Sequence, residues 1–411
     1  MAIPSQASDT DTTVLIVGAG STGLALAHGL KKADISSIIV EKHCRLNARS
    51  RDWNMGLHWG AGPLQSLIPE TLWARIQSVQ VDPSTPTAEH DFLYFLNGRT
   101  GETMGAIPAN KFYRLRRSKL RSLLVPGLDI RYGRQLQDIK YLDDGERVAA
   151  ILEDGQQIIA RIIVGADGAR SDTRRLLLGS DTVTVRQLPY CATFIHAQFS
   201  ADQAVFLRKF HPLFLGAPHP AGYFGFFGMH DVVDPMRPET WTFFFYISWH
   251  STLEEQTRTE GWTNAQRLRQ AKEFAKSFTD PWKSAYQWLP DDHEVWYMNM
   301  TDFDPRQPHN RWDNHGGRVT LAGDAAHAMT YQRGQGLNHS LTDAMKLMEA
   351  IKSIFTGGLT QSSAISQYED EMTARGGAEV EMSTVNTEMV HDWERVLKSP
   401  VMTSGMKRTK S

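Results

Sequence analysis

The residues with the most evident chemical purpose are three glycines in the run Gly18-Ala19-Gly20-Ser21-Thr22-Gly23. Thr13 to Val17 (TVLIV) precedes them as a short β-branched run, the type that forms a central parallel strand. A helical stretch, Leu24 to Lys32, follows, and then a second apolar run from Ser37 to Val40 that ends in Glu41. The first glycine permits a tight turn, the second lets backbone approach a pyrophosphate, and the third lets helix and strand pack closely. The helix N-terminus then faces the phosphates. Glu41 lies about twenty residues beyond Gly18, where a carboxylate accepts hydrogen bonds from both ribose hydroxyls of an adenosine. This is a dinucleotide site, and it does not by itself separate FAD from NAD.

Two later segments carry chemistry in the same setting. Arg161 to Arg175 (RIIVGADGARSDTRR) puts Asp167-Gly168 just past another buried strand. Arg318 to Asp343 (RVTLAGDAAHAMTYQRGQGLNHSLTD) runs a strand, Val319 to Ala322, into Gly323-Asp324, and then through a loop to Gly334-Gln335-Gly336-Leu337-Asn338 and a helix. With these three motifs the chain resembles the para-hydroxybenzoate hydroxylase superfamily of single-component FAD-dependent aromatic monooxygenases, in its fungal secondary-metabolite branch. The resemblance covers most of residues 13–350.

The resemblance implies a role for each matching residue. Gly18, Ala19, Gly20, Thr22 and Gly23 cradle the FAD pyrophosphate, and Glu41, with Lys42 beside it, holds the adenosine ribose. Gly323-Asp324 binds the ribityl chain through the Asp carboxylate, and Asp167-Gly168 contributes to FAD and NADPH binding. Arg117 matches a helix residue that contacts the flavin chain, and Arg51 matches a phosphate-side arginine. The amides around Gly336, Leu337 and Asn338 lie against the pyrimidine edge of the flavin, where a helix N-terminus stabilises negative charge. Plainer readings exist: Asp324 as an N-cap, Arg117 and Arg121 as solvated charges, and His327 as a packing residue. After GDAAH the family commonly places prolines, whereas this chain has Thr330-Tyr331.

These elements must be positioned by an α/β fold. The expectation is a discontinuous Rossmann-like FAD-binding domain, residues 1–180 and 301–350, with a substrate-side excursion near 65–110. An antiparallel β-sheet substrate domain occupies 181–300, with strands at Cys191 to Phe199, Tyr223 to Phe227 and Trp241 to Trp249. C-terminal helices and a tail fill 351–411, read as two external helices interrupted at Gly376-Gly377. The middle sheet is rich in aromatics, and since alternate residues of a strand face opposite ways, only one set can line a pocket. That favours a flat apolar substrate. Candidates for favouring a phenolate on this sheet are Tyr223, Tyr246, His196 and Arg208.

Composition limits the alternatives. In 411 residues, Lys+Arg 44 against Asp+Glu 46 leaves a formal net charge of −2, which gives no electrostatic footprint for nucleic acid. The 41% hydrophobic content suits a globular chain of two or three packed units. Two cysteines, Cys44 and Cys191, make neither a disulfide scaffold nor a four-ligand zinc site, so no metal is expected and a cytoplasmic setting is. Residues 1–13 read as a disordered lead-in without a secretory signal, and the C-terminal KRTKS as a frayed tail. No transmembrane segment is expected, because Trp241 to Trp249 is half the length of a span.

The resulting expectation is an enzyme with noncovalent FAD, NADPH or NADH as electron donor, and O2 as cosubstrate. The resemblance implies hydroxylation of an aromatic, polyketide or alkaloid-like intermediate through a flavin C4a-hydroperoxide. An epoxidase, a Baeyer–Villiger-type or an N-hydroxylating enzyme would use the same scaffold, and a flavin-binding protein without turnover is the non-enzyme alternative. A halogenase is disfavoured because there is no WxWxIP motif. A plain NAD dehydrogenase leaves Gly323-Asp324 unexplained.

Overall fold

In the computed structural model, residues 10–48, 51–179 and 185–405 are described. Five parallel strands lie side by side in the order Ile130–Tyr132, Ser37–Glu41, Thr10–Val17, Gln157–Gly165 and Val319–Leu321. Their residues are largely buried Val, Ile and Leu, as a sheet covered on both faces requires. The register brings Val17 opposite Val40 and Gly165, and Gly165 opposite Leu321. The three glycine-bearing turns therefore leave the sheet along one carboxyl edge, the place where open α/β sheets bind ligands. The first half of Gln157–Gly165 pairs antiparallel with Val148–Leu152, which pairs with Leu136–Tyr141.

The first strand starts at Thr10, so part of the stretch expected to be disordered is ordered β-structure; residues 1–9 and the KRTKS tail lie outside the described residues. Against the parallel sheet pack helices Ser21–Lys32 and Gly336–Phe355.

The second sheet runs Trp296–Asp302, Arg186–Gln198, Thr242–His250, Tyr223–Asp231, Phe214–His219, Phe92–Leu96 and Thr103–Pro108. The last two come from the 65–110 excursion, which supplies one edge of this sheet. One face, with Phe227, Phe243 and Phe245, is covered by Trp282 and Tyr286. The opposite face carries Phe194, His196, Phe226, Phe244 and Tyr246. A short ribbon, Asn54–Leu57 paired with Tyr113–Arg116, lies between the layers.

The expected break at Gly376-Gly377 does not occur. Gln361–Val390 is one 30-residue helix, and many of its residues are buried. A Cβ at Gly376 would lie 2.5 Å from the His327 ring, and one at Gly377 2.6 Å from the Arg306 side chain. Glycine here lets the helix pass close to its neighbours, which outweighs a propensity cost of about 1 kcal/mol per residue. Among the described residues, no helix is long and apolar enough to cross a membrane.

Candidate active site

The first glycine turn has different steric demands at each position. Gly18 has φ +107°, and a Cβ there would lie 2.6 Å from the Ala166 carbonyl oxygen. A Cβ at Gly23 would lie 2.2 Å from the Gly18 carbonyl oxygen. Both must be glycine for the chain to fold. Gly20 is different: its backbone is extended at φ −76°, and a Cβ would meet only the Ala166 oxygen at 3.7 Å. Nothing in the protein demands glycine at position 20, so the open space serves a group that approaches from outside. A pyrophosphate against the N-terminus of helix Ser21–Lys32 fits it.

Glu41 ends its strand beside this turn. Its Oε2 accepts from the Ala19 N–H at 3.0 Å and its Oε1 from the His43 N–H at 3.0 Å, with the His43 ring against Oε1 as well. Burial alone would raise its pKa, but these hydrogen bonds outweigh it and hold the carboxyl below the usual range. Lys42 points elsewhere, to Asp172 at 3.2 Å. Arg51 is exposed.

Helix Arg117–Leu124 presents two arginines one turn apart. Arg117 lies over the Trp53 ring at 4.6 Å and acts electrostatically on Asp324. Arg121, read above as a solvated charge, is buried: its Nε donates to the Ala19 carbonyl at 2.9 Å, and a terminal nitrogen lies 4.0 Å from Glu41. The i, i+4 spacing from Arg117 was the available signal.

Gly323 adopts φ 65°, ψ −142°, and its Cβ would lie 2.8 Å from Thr22 Oγ1, so glycine packs this turn directly onto the first one. Asp324 follows with its side chain exposed and without a hydrogen bond among the described residues. It is accessible yet closely surrounded, as a side chain lining a deep cleft is. Burial pushes its pKa up, opposed by His327, Arg174 and Arg117. A Cβ on Gly336 would lie 3.7 Å from Asp324 Oδ1, so the carboxylate sits by the start of helix Gly336–Phe355, whose first N–H groups have no intrahelical acceptor. This acceptor suits a polyol hydroxyl.

Asp343, Arg174 and Arg375, to which the sequence motifs give no role, tie down the surrounding loops together with His327, Asp167 and Asn338. Asp343 accepts from the Gly323 N–H, from His327 and from Arg375, each at 2.7 Å. Despite its burial, His327 and Arg375 hold its pKa well below the carboxylate range. His327 is therefore a packing and hydrogen-bonding residue. Buried Arg174 donates to the carbonyls of Asp324, Ala325 and Ala169, joining the second and third turns. Asp167 spends its carboxylate locally, accepting from Ser171 Oγ at 2.5 Å and the Thr173 N–H at 3.0 Å. Leu337 is buried, and the Asn338 side chain accepts from the His58 and Gly60 N–H groups and donates to the Gly56 carbonyl, all at 3.0 Å. That bracket fixes the Asn54–Leu57 ribbon to the flavin-side helix.

The four substrate-side candidates separate. Tyr246 and His196 lie on the sheet face that looks toward the glycine turns, where Tyr331 approaches Phe194 at 5.5 Å and Tyr246 at 5.4 Å. Burial raises the Tyr246 pKa far above its ordinary value and lowers that of His196 to about 4, so both are neutral at pH 7. Tyr223 faces the other way, stacked on Phe274 at 4.6 Å, because its register partner is Trp249 and not Tyr246. Arg208 is not on the sheet: it ends helix Ala201–Arg208, ion-paired to Asp82 and over the Trp241 ring. Neither lies on the sheet face that carries Tyr246 and His196.

Residues 11–383 match the family model described as FAD binding domain. The FAD-dependent monooxygenase cctM of Talaromyces islandicus is 36% identical over 399 residues, covering 97% of this chain and 98% of that protein. The FAD-dependent monooxygenase phnB of Penicillium herquei is 34% identical over 398 residues, covering 96% and 95%. The crystal structure of Klebsiella pneumoniae HpxO complexed with FAD and uric acid superposes with a TM-score of 0.71 at 16% identity, over 97% of this chain and 93% of that one, a likeness of fold. With the open space at Gly20, the unpaired Asp324 carboxylate and these relatives in agreement, the chain belongs to the FAD-binding-domain family and is an FAD-dependent monooxygenase.

Proposed function

We propose that the enzyme hydroxylates an aromatic or otherwise electron-rich natural-product intermediate, with NADPH or NADH as electron donor and O2 as the oxygen source. The observation that carries this reading is the aromatic wall of Phe194, Phe226, Phe244 and Tyr246 facing the flavin-side loop, closed by Tyr331. Flat rings offset-stack on such a surface and stay dry there. FAD, when bound, supplies oxygen activation and the electrons for it, which side chains lack.

The chain supplies the rest. The pyrophosphate would lie against Gly20 and the N-terminus of helix Ser21–Lys32, in the turn that Gly18 and Gly23 make possible, with Glu41 holding the adenosine ribose and Asp324 the ribityl chain. Arg117 offsets the charge of Asp324, and the first amides of helix Gly336–Phe355 would stabilise negative charge at the flavin edge. The aromatic wall excludes water and orients the ring to be oxidised. The two cysteines, free and unpaired with each other, fit a cytoplasmic setting.

The test is NADPH and NADH oxidation by the FAD-loaded protein with a panel of polycyclic phenols, with products analysed by mass under 18O2. One labelled oxygen atom on the ring supports the reading. An epoxide, a ring-inserted ester oxygen or an N-oxide would move the assignment to that chemistry, and consumption of NAD(P)H without any labelled product would refute it.

A further inference from the structure

Six arginines are buried in the described residues, and five have oxygen acceptors. Arg121 donates to the Ala19 carbonyl, Arg174 to three carbonyls, Arg267 to the Thr259 carbonyl, Arg333 to Glu379, and Arg375 to Asp343 and Glu371. The sixth is Arg114, on strand Tyr113–Arg116. Its side chain is 8% exposed, and its guanidinium makes no hydrogen bond and no ion pair among the described residues. The Nε is sealed from solvent without an acceptor. Its near neighbour Arg116, by contrast, is bound to both Asp52 and Asp231.

What surrounds Arg114 is the substrate wall. Its guanidinium carbon lies 5.0 Å from the centroid of Phe226 and 5.4 Å from that of Phe214. Phe226 stacks on Tyr246 at 5.4 Å with the rings 13° apart, and Tyr246 meets Tyr331 edge-on at 5.4 Å. Ring faces offset part of the cost of burying a cation, but less than an anion would. Burial lowers the Arg114 pKa to about 10, still charged at pH 7, with Tyr246 as the group that acts on it electrostatically. The Tyr246 hydroxyl makes no hydrogen bond among the described residues, and the Tyr331 hydroxyl is buried without a partner. A charged donor and two unpaired hydroxyls thus converge on one apolar wall. Buried polar groups of this kind are normally satisfied.

We propose that Arg114, with the Tyr246 hydroxyl, is the seat for an anionic oxygen carried by the substrate's aromatic ring, a carboxylate or a phenolate. This rests on the wall being the substrate site, as proposed above, and adds the substrate's charge and the residue that reads it. The guanidinium donates to the anion, Tyr246 donates its O–H, and the ring lies along Phe226 and Phe194. Arg114 is a specificity residue that fixes one edge of the ring and so decides which carbon faces the flavin. A phenolate held there is also the more electron-rich ring.

The experiment uses FAD-loaded protein and three probes: 2-naphthoate, its uncharged analogue naphthalene-2-carboxamide, and 2-naphthol. Binding is followed by perturbation of the flavin absorption. The wild type should bind 2-naphthoate at least tenfold more tightly than the carboxamide. Arg114→Met should erase that difference, Arg114→Lys should keep part of it, and Tyr246→Phe should weaken 2-naphthoate severalfold. If 2-naphthol binds with the spectrum of its ionised form, phenolates are accepted; if only 2-naphthoate is favoured, the anion is a carboxylate.

Thermal unfolding of the unliganded holoenzyme separates a binding role from a structural one. Arg114→Met should melt no earlier than wild type, since it removes an unpaired buried charge. A wild type that binds acid and amide alike, one that binds neither of them nor ionised 2-naphthol, an Arg114→Met variant that binds the favoured anion as tightly as wild type, or one that melts several degrees earlier overturns the proposal. Incorporation of 18O into a neutral ring by a protein that fails this test would leave the hydroxylase reading standing.

Discussion

Replacing Gly20 and Gly23 in turn by alanine separates folding from cofactor binding within a single six-residue motif. At Gly23 the new methyl would lie 2.2 Å from the Gly18 carbonyl oxygen and 3.0 Å from the Ile16 side chain. The first contact is with backbone that cannot swing away, so the cost is at or above the top of the ~1–3 kcal/mol range for overpacking. At Gly20 the methyl meets one oxygen at 3.7 Å, with φ already at −76°. Restricting the unfolded chain there stabilises by about 0.4–1 kcal/mol, and alanine is a poorer N-cap than glycine by a similar amount. The two cancel to within about 1 kcal/mol, a change in Tm of roughly 2 °C in a chain of this size. FAD should nonetheless bind Gly20→Ala at least about tenfold more weakly, a loss of roughly 1.4 kcal/mol, because the methyl occupies the space that the pyrophosphate needs. The assay is a fluorescence titration of apoprotein with FAD beside a circular-dichroism melt. Wild-type FAD affinity in Gly20→Ala, or a fold collapse equal to that of Gly23→Ala, would show that the open side of Gly20 does not face the cofactor.

Other expectations follow from the same geometry. Asp324→Ala should leave the melt unchanged, since the carboxylate makes no hydrogen bond among the described residues, while FAD affinity falls by about 1.5–3 kcal/mol, the worth of a charged acceptor; an unchanged titration would remove Asp324 from the site. Asn338→Leu leaves the His58 and Gly60 N–H groups and the Gly56 carbonyl unsatisfied, and should cost about 2–4 kcal/mol in a denaturant melt even without FAD. His58 and His391 have pKa values lowered from 6.5 to about 4, chiefly by burial, so the folded state holds them neutral while the unfolded state takes up protons below pH 6.5. Stability is complete above that pH and falls toward pH 4 by up to about 1.4 kcal/mol per unit for each, and His391→Gln should flatten a plot of Tm against pH between 6.5 and 4. Because Tyr331 closes the wall against Phe194 and Tyr246, reduction of bound FAD by NADPH should be slow alone and accelerate with substrate in stopped-flow mixing; equal rates would refute such gating.

The FAD half was legible because its constraints are local. A β-branched strand, a glycine turn and a helix follow one another in sequence, and the register that aligns Val17, Val40, Gly165 and Leu321 comes from parallel pairing of such strands. Boundaries were blurred where no turn residue marks them, so the first strand extends back to Thr10 into what read as a loose lead-in. Arg121 was misjudged for another reason. Its acceptors, Ala19 and Glu41, are remote in sequence, and a basic residue on a helix looks the same whether it faces solvent or a carbonyl.

The substrate side was less legible because its facts are nonlocal. Tyr223 and Tyr246 have the same composition signal, yet the pairing of Tyr223 with Trp249 sends one toward Phe274 and the other toward Phe226 and Tyr331, a choice of register that neither strand carries alone. The long C-terminal helix gives the opposite lesson. Its paired glycines read as a break, but helix Gln361–Val390 runs so close to the buried His327 ring that a Cβ at Gly376 would lie 2.5 Å from it, and a Cβ at Gly377 would require the Arg306 side chain to shift. By passing that close it brings Arg375 to Asp343 and Glu379 to Arg333, and Asp343 in turn holds the Gly323 N–H. The turn that carries Asp324 is thus fixed by charges from a helix that begins after the last flavin motif has ended. A local rule is broken at Gly376 because the Gly323-Asp324 turn is held by a buried ion network behind it, and a helix with a side chain at Gly376 could not pass the His327 ring closely enough to supply one.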